Sequence, residues 1–194
     1  MLRGLKWLVV LVVVAAGIAA FWIYTGRYDV AADVPHKAWT EALIAYARDR
    51  SIEAHSAGIV APNDLDDPAR LRRAAGHYDA MCSECHLKPG TTDSELRRGL
   101  YPQPPDFTTA DMDEDESPAE HARADFWVIQ HGIKMTAMPA WSLADIDDQL
   151  TWDLVAFVRA LPTLDANSYR ELVESSPPHM HADDSGEAPD RPHE

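Results

Sequence analysis

Cysteine is nearly missing from this 194-residue chain, which has only Cys82 and Cys85. Both fall in one short motif, so none is left for a structural disulfide. Positive charge is scarce as well: 17 Lys and Arg stand against 32 Asp and Glu, for a formal net charge of -15. That balance excludes nucleic acid, whose phosphates call for a basic surface. A partner that docks electrostatically has to offer a basic patch. No segment alternates polar and apolar residues for long, so no sheet of consequence is expected and the fold class is all-α. Long apolar runs are limited to one, at the N-terminus. What remains reads as one modest domain with appendages.

The two cysteines belong to Met81-Cys82-Ser83-Glu84-Cys85-His86, a Cys-x-x-Cys-His motif of the kind that attaches a c-type haem. Two thiols three positions apart on one helical turn can each form a thioether to a haem vinyl group. The next residue then carries an imidazole under the iron. A zinc half-site would need a second Cys or His pair at ligand spacing. A thioredoxin-like redox pair would need a surrounding βαβ pattern. Neither is present, so the expected cofactor is one haem c, covalent through Cys82 and Cys85 with His86 as a ligand.

The apolar run extends from Trp7 to Tyr24 and, at about 1.5 Å per helical residue, spans roughly 27 Å. Arg3 and Lys6 precede it, which places the N-terminus in the cytoplasm and the remainder outside. Gly17 and Ala19 would suit a signal-peptide cut, but the run continues through Ile23, which favours an uncleaved anchor. The expected location is a bacterial cytoplasmic membrane, crossed once, with the motif in the periplasm.

Residues 1–24 therefore read as a transmembrane anchor and 25–63 as a linker with a juxtamembrane helix. In that helix, from Pro35 to Ala57, Trp39, Leu43, Ile44 and Tyr46 fall near one face. Lys37, Glu41, Arg48 and Arg50 fall mostly on the other. The apolar face is expected to pack on the following domain, with the membrane surface as the alternative.

That domain covers 64–163. Asp67 and Pro68 mark a helix start, with Leu71, Ala74 and Tyr78 leading into the motif. Short turns over Asp93–Leu100 carry Arg97 and Arg98. Tyr101 to Phe107 holds three prolines and must be extended. Thr108–Glu116 is an acidic loop. Ser117-Pro118-Ala119-Glu120 is a capping box that opens a helix ending at His131 before Gly132. A loop with Met135, Met138 and Pro139 follows, then a helix from about Ile146 to Leu161. Residues 164–175 form a short last helix. Residues 176–194 read as a disordered acidic tail with His179, Met180, His181 and His193.

Residues from about Leu65 to Leu161 resemble a small mono-haem cytochrome c domain. The resemblance rests on Tyr78 ahead of the Cys82–His86 motif, the Pro104-Pro105-Asp106-Phe107 loop, the Gly132 to Met138-Pro139 loop, and the helix with Leu154-Val155-Ala156-Phe157-Val158. It implies three to five helices, the first and last crossing near Ala74 and Phe157, around a haem held between the loops. It also implies that the carbonyl of Pro104 or Pro105 accepts from His86 Nδ1, which would fix the ring.

For the sixth ligand His131, Met135 and Met138 compete. Met138 is favoured because Pro139 stiffens the chain after it and because it stands at the methionine position of the resembling loop. Arg97, Arg98 and the Trp127 indole are candidate partners for the haem propionates. Tyr78, Phe107, Trp127, Trp141 and Phe157 are expected to bury the macrocycle. With His86 and Met138 filling both axial positions the iron passes electrons rather than binding oxygen. The expected activity is therefore non-enzymatic electron carriage between respiratory or dehydrogenase partners, alone or as a subunit of a larger complex. The alternatives are a haem peroxidase or gas sensor with an open site, and a copper-handling protein that uses the histidine tail.

Overall fold

The computed structural model describes residues 2–109, 117–144 and 146–177. The acidic stretch 110–116 and the histidine-containing tail from residue 178 lie outside the described residues. The chain divides into two compact units, Met1–His36 and Lys37–Glu194. Among the described residues there is no strand, so the molecule is all-helical.

The first unit is built on α1, Leu2–Tyr24. From Arg3 to Tyr24 it is apolar and long enough to cross a membrane, with no residue of that span buried. A helix that is apolar on every side has no polar face to give to water, which fits a membrane anchor.

The second unit opens with α2, Ala38–Ser56. It continues with α3, Pro68–Met81, and the single turn α4, Ser83–His86. The short α5, Glu95–Arg98, and α6, Pro118–His131, follow. A 3₁₀ turn at Trp141–Ala144 leads into α7, Asp148–Ala160, and α8, Ala166–Glu174, closes the unit. The starts are set by side-chain caps. Asp67 Oδ1 accepts from Ala69 N at 2.9 Å, with Pro68 at the first helical position. At α6, Ser117 and Glu120 form a reciprocal capping box. Each satisfies amide donors that the first turn leaves unpaired.

The core sits where α3 packs on α7. Ala74, Tyr78, Leu154, Phe157 and Leu161 are buried together there. The small side chains of Ala74 and Ala75 let the two helices approach, and the Tyr78 and Phe157 rings meet at 5.1 Å. Burying each such large side chain is worth about 1.5–3 kcal/mol. Below the crossing an ion network bridges the same helices. Asp153, 1 % exposed, accepts from Arg70 Nη1 at 2.7 Å and from Arg73 Nε at 2.5 Å. Arg70 also reaches Asp64 at 2.7 Å, which pins the entry to α3.

Helix α8 is part of this core through the buried Tyr169. The Tyr169 hydroxyl donates to Asp79 Oδ1 at 2.9 Å, and Lys88 Nζ reaches the same oxygen at 2.9 Å. The last helix is thereby tied to the turn that follows the cysteines. A second cluster joins Ala122, Phe126 and Val155 to Ile59, Leu65 and Trp152.

Helix α2 departs from expectation. Trp39, Leu43, Ile44 and Tyr46 are exposed, and α2 packs against α6, where the His55 and Trp127 rings meet at 5.6 Å. Periodicity identifies the apolar stripe of α2 but says nothing of the shape of α6. There, Ile52 and the aliphatic stem of Arg48 have a wall to complete.

Candidate functional site

One apolar cavity of about 350 Å³ brings together Cys82, Cys85, His86 and Met138. Residues far apart in sequence meet there because the α3–α7 crossing fixes its floor, through Tyr78, Leu154 and Val158.

The motif itself forms a tight turn. Cys82 N donates to Tyr78 O at 2.9 Å, closing α3, and His86 N donates to Cys82 O at 2.9 Å, closing α4. Both thiols are free and partly accessible. Burial first, then the neighbouring Cys85, pushes the Cys82 thiol up to about 12. Cys85 is raised in the same direction by burial and by Glu84. After His86 the chain reverses at Leu87, whose φ is 65°, and the buried Tyr78 hydroxyl donates to Leu87 O at 2.7 Å. Tyr78 thus serves both the core and the turn that aims His86.

His86 is held on two sides. Its Nδ1 lies 3.0 Å from Pro105 O; facing a carbonyl acceptor, that nitrogen must carry the proton, which leaves the Nε2 lone pair available. The Phe107 ring stacks on the imidazole at 4.3 Å with a 5° interplanar angle. Burial holds the His86 pKa below its ordinary value, against the pull of the Pro105 hydrogen bond and with the help of Arg97. Neutral imidazole is the form that binds metal. Of the two prolines, Pro105 meets His86, whereas the Pro104 carbonyl accepts from Arg97 Nη2 at 3.0 Å.

Met138 arrives from the loop after α6. Gly132 has φ 63°, and a Cβ there would lie 2.6 Å from Met138 O and from Pro139 C. Only glycine allows that approach. Across the gap Ile133 N donates to Met138 O at 3.1 Å, and Met138 N donates to Thr136 Oγ1 at 3.1 Å. Met135 is 99 % exposed and His131 is exposed at the end of α6. Of the three competitors, then, Met138 alone lines the cavity. Sequence reading gave Gly132 a role as a helix stop only; its close approach to Met138 leaves no local signal.

None of the three propionate candidates lines the cavity. Arg98 is 62 % exposed and pairs with Asp93 at 3.4 Å. Trp127 lies between His55 and His131, at 5.6 and 5.1 Å, and is absent from the cavity lining, as is Phe157. Phe157 is taken up by the α3–α7 core against Tyr78, and α6 turns Ala124, Asp125, Val128 and Ile129 to the cavity in place of Trp127. Arg97 is absent from the lining as well; its Nε is buried without a hydrogen-bond partner and its Nη2 donates to the Pro104 carbonyl.

A c-type haem fits this arrangement. The walls are apolar, two thiols and an imidazole come from one turn, and a thioether comes from another segment. Among the described residues no group of three or more His, Cys, Asp or Glu is arranged to hold a bare metal ion.

Residues 69–158 match the model of the family described as cytochrome c oxidase, cbb3-type, subunit III. None of the curated proteins compared with the chain matches it, and none of the solved structures does.

Proposed function

We propose, from the premise that residues 69–158 form a small c-type cytochrome domain, that the chain is a membrane-anchored electron carrier with a single haem c. The observation that carries this reading is that Cys82, Cys85, His86 and Met138 line one apolar cavity. Haem bound there would supply a one-electron ferric/ferrous couple. Cys82 and Cys85 would hold it covalently, and His86 Nε2 and the Met138 thioether would both ligate its iron, which would leave no open site for peroxide or gas chemistry. The thioether also favours the ferrous state, which raises the potential relative to a bis-histidine pair.

The work of the remaining residues follows. Pro105 and Phe107 orient the imidazole. Tyr78 and Trp141 exclude water from the cavity they line, and Arg97 braces the proline loop through the Pro104 carbonyl. Arg3 and Lys6 ahead of the apolar helix favour a cytoplasmic N-terminus and a haem domain in the periplasm of a bacterium. The domain partition we adopt is an anchor over 1–24, a linker and helix over 25–63 and the haem domain over 64–163. Beyond them come the short helix over 164–175 and the tail over 176–194. Redox partners, respiratory complexes or a dehydrogenase, would meet a carrier of charge -15 through a basic patch.

The test is a pair of substitutions in the full-length haem-loaded chain. Met138→Ala should remove the weak near-infrared absorption of an iron–thioether bond, lower the reduction potential and open the iron to carbon monoxide. Met135→Ala should leave all three unchanged. Rapid stoichiometric carbon monoxide binding by the reduced wild-type protein would overturn the carrier reading.

A further inference from the structure

Helix α2 ends at Ser56, well before the matched residues 69–158, yet Arg48 and Ile52 line the cavity that holds Cys82, Cys85, His86 and Met138. The two residues stand four apart and so share one side of the helix. Ile52 joins Ala124 and Val128 of α6 in the lining, which makes that wall apolar. Arg48 is the one Lys or Arg among the described residues that line the cavity. Its side chain is 39 % exposed, the partial cover expected of a buried stem with a hydrated head. Nε donates to Asp49 Oδ1 at 2.7 Å in an ion pair whose acid is 59 % exposed, which uses one of the five guanidinium donors. The acid on the same lining is Asp125 of α6.

We propose that α2 is a side lid of the haem cavity, in which Ile52 shuts out water and Arg48 presents a cation to the haem carboxylates. The lid rests on the haem-binding reading above. Ferric haem carries one more positive charge than ferrous haem, so a fixed cation at the cavity wall disfavours the oxidised state and raises the potential. Two unit charges roughly 10 Å apart at an effective dielectric of about 20 shift an equilibrium on the order of tenfold. Asp125 acts with the opposite sign from the neighbouring helix. A segment outside the matched domain thereby sets the potential at which that domain works.

Spectroelectrochemical titration of the full-length haem-loaded chain tests this. At fixed ambient potential, Arg48→Gln should raise the ferric-to-ferrous ratio about tenfold, equal to a fall of about 59 mV for a one-electron couple. Arg48→Lys should retain most of the wild-type potential, and Asp125→Asn should move it upward. Arg50→Gln is the control, because Arg50, like Arg48, is paired with a neighbouring carboxylate but is 58 % exposed and is not part of the lining. An unchanged potential in Arg48→Gln would overturn the proposal while leaving the cofactor reading intact. So would an equal fall in Arg50→Gln, which would mark the effect as general surface charge. A wild-type chain with no covalent haem would overturn the cofactor reading and the lid with it.

Discussion

The turn that carries His86 and the loop that carries Met138 reach the same cavity but are held there by different means. His86 is 9 % exposed, and its ring is gripped directly, by the Pro105 carbonyl on one nitrogen and by Phe107 on its face. Behind it stand the buried helix crossing and the Asp153 ion network. Met138 is half-buried, with no side-chain grip comparable to that on His86; its position follows from backbone contacts that a glycine permits. One proposed ligand is thereby coupled to global stability and the other to local loop geometry. The methionine side should therefore open without unfolding the domain, as low-stability segments do.

The largest effect is expected from the ion network behind His86. Asp153→Ala removes the buried carboxylate shared by Arg70 and Arg73 and leaves Arg70, 7 % exposed, with Asp64 alone; it should cost about 3 kcal/mol, the low end of the range for breaking a buried pair. Denaturant unfolding checks the loss, and the near-infrared band of the folded fraction should persist. Gly132→Ala separates the two sides. An L-residue at φ 63° costs roughly 1–2 kcal/mol, and the added Cβ must displace the Met138 backbone. The variant should stay folded, lose less stability than Asp153→Ala, and gain carbon monoxide binding. Phe107→Leu removes the stack on His86 and should cost about 0.5–1.5 kcal/mol. It should bring no carbon monoxide binding, because Met138 is untouched.

Acid provides the gentlest probe. Asp165 is held below its ordinary value by hydrogen bonds from Ser168 and Asn167 at the start of α8. Glu120 is lowered by Ser117 at the start of α6, and Asp64 by Arg70. A depressed carboxylate adds stability above its unfolded pKa, near 4, and that contribution is lost as pH falls through the lower folded value. Stability should therefore drop as pH falls below about 4. In Asp165→Ala and in Glu120→Ala the acid loss should be smaller than in the wild type. Urea melts at neutral pH and at pH 3 measure the difference for the helix behind His86 and for the helix ahead of Met138 separately.

Local chemistry was legible from the residues. Pro68, the Ser117–Glu120 box, Gly132 and the Cys82–His86 motif each act within a few positions of themselves, and the structure places a cap, a helix end or a turn at each. What stayed hidden is settled by neighbours remote in sequence. The exposure of Trp39 and Tyr46 depends on which side of α2 the surface of α6 accepts. Trp127 has the composition of a pocket residue, yet α6 rotates Ala124 and Val128 inward. Arg48 and Arg97 look like any other surface arginine until tertiary contacts bring one to the cavity wall and bury the Nε of the other.

The central claim is a single haem held by Cys82 and Cys85, and the pyridine haemochrome spectrum of the purified full-length chain tests it most directly. One haem per chain is expected, with absorption bands of a macrocycle whose two vinyl groups are both saturated, and with the pigment retained by the protein in acidified acetone. No haem, haem that extracts into acetone, or bands of a macrocycle with an intact vinyl group would contradict it.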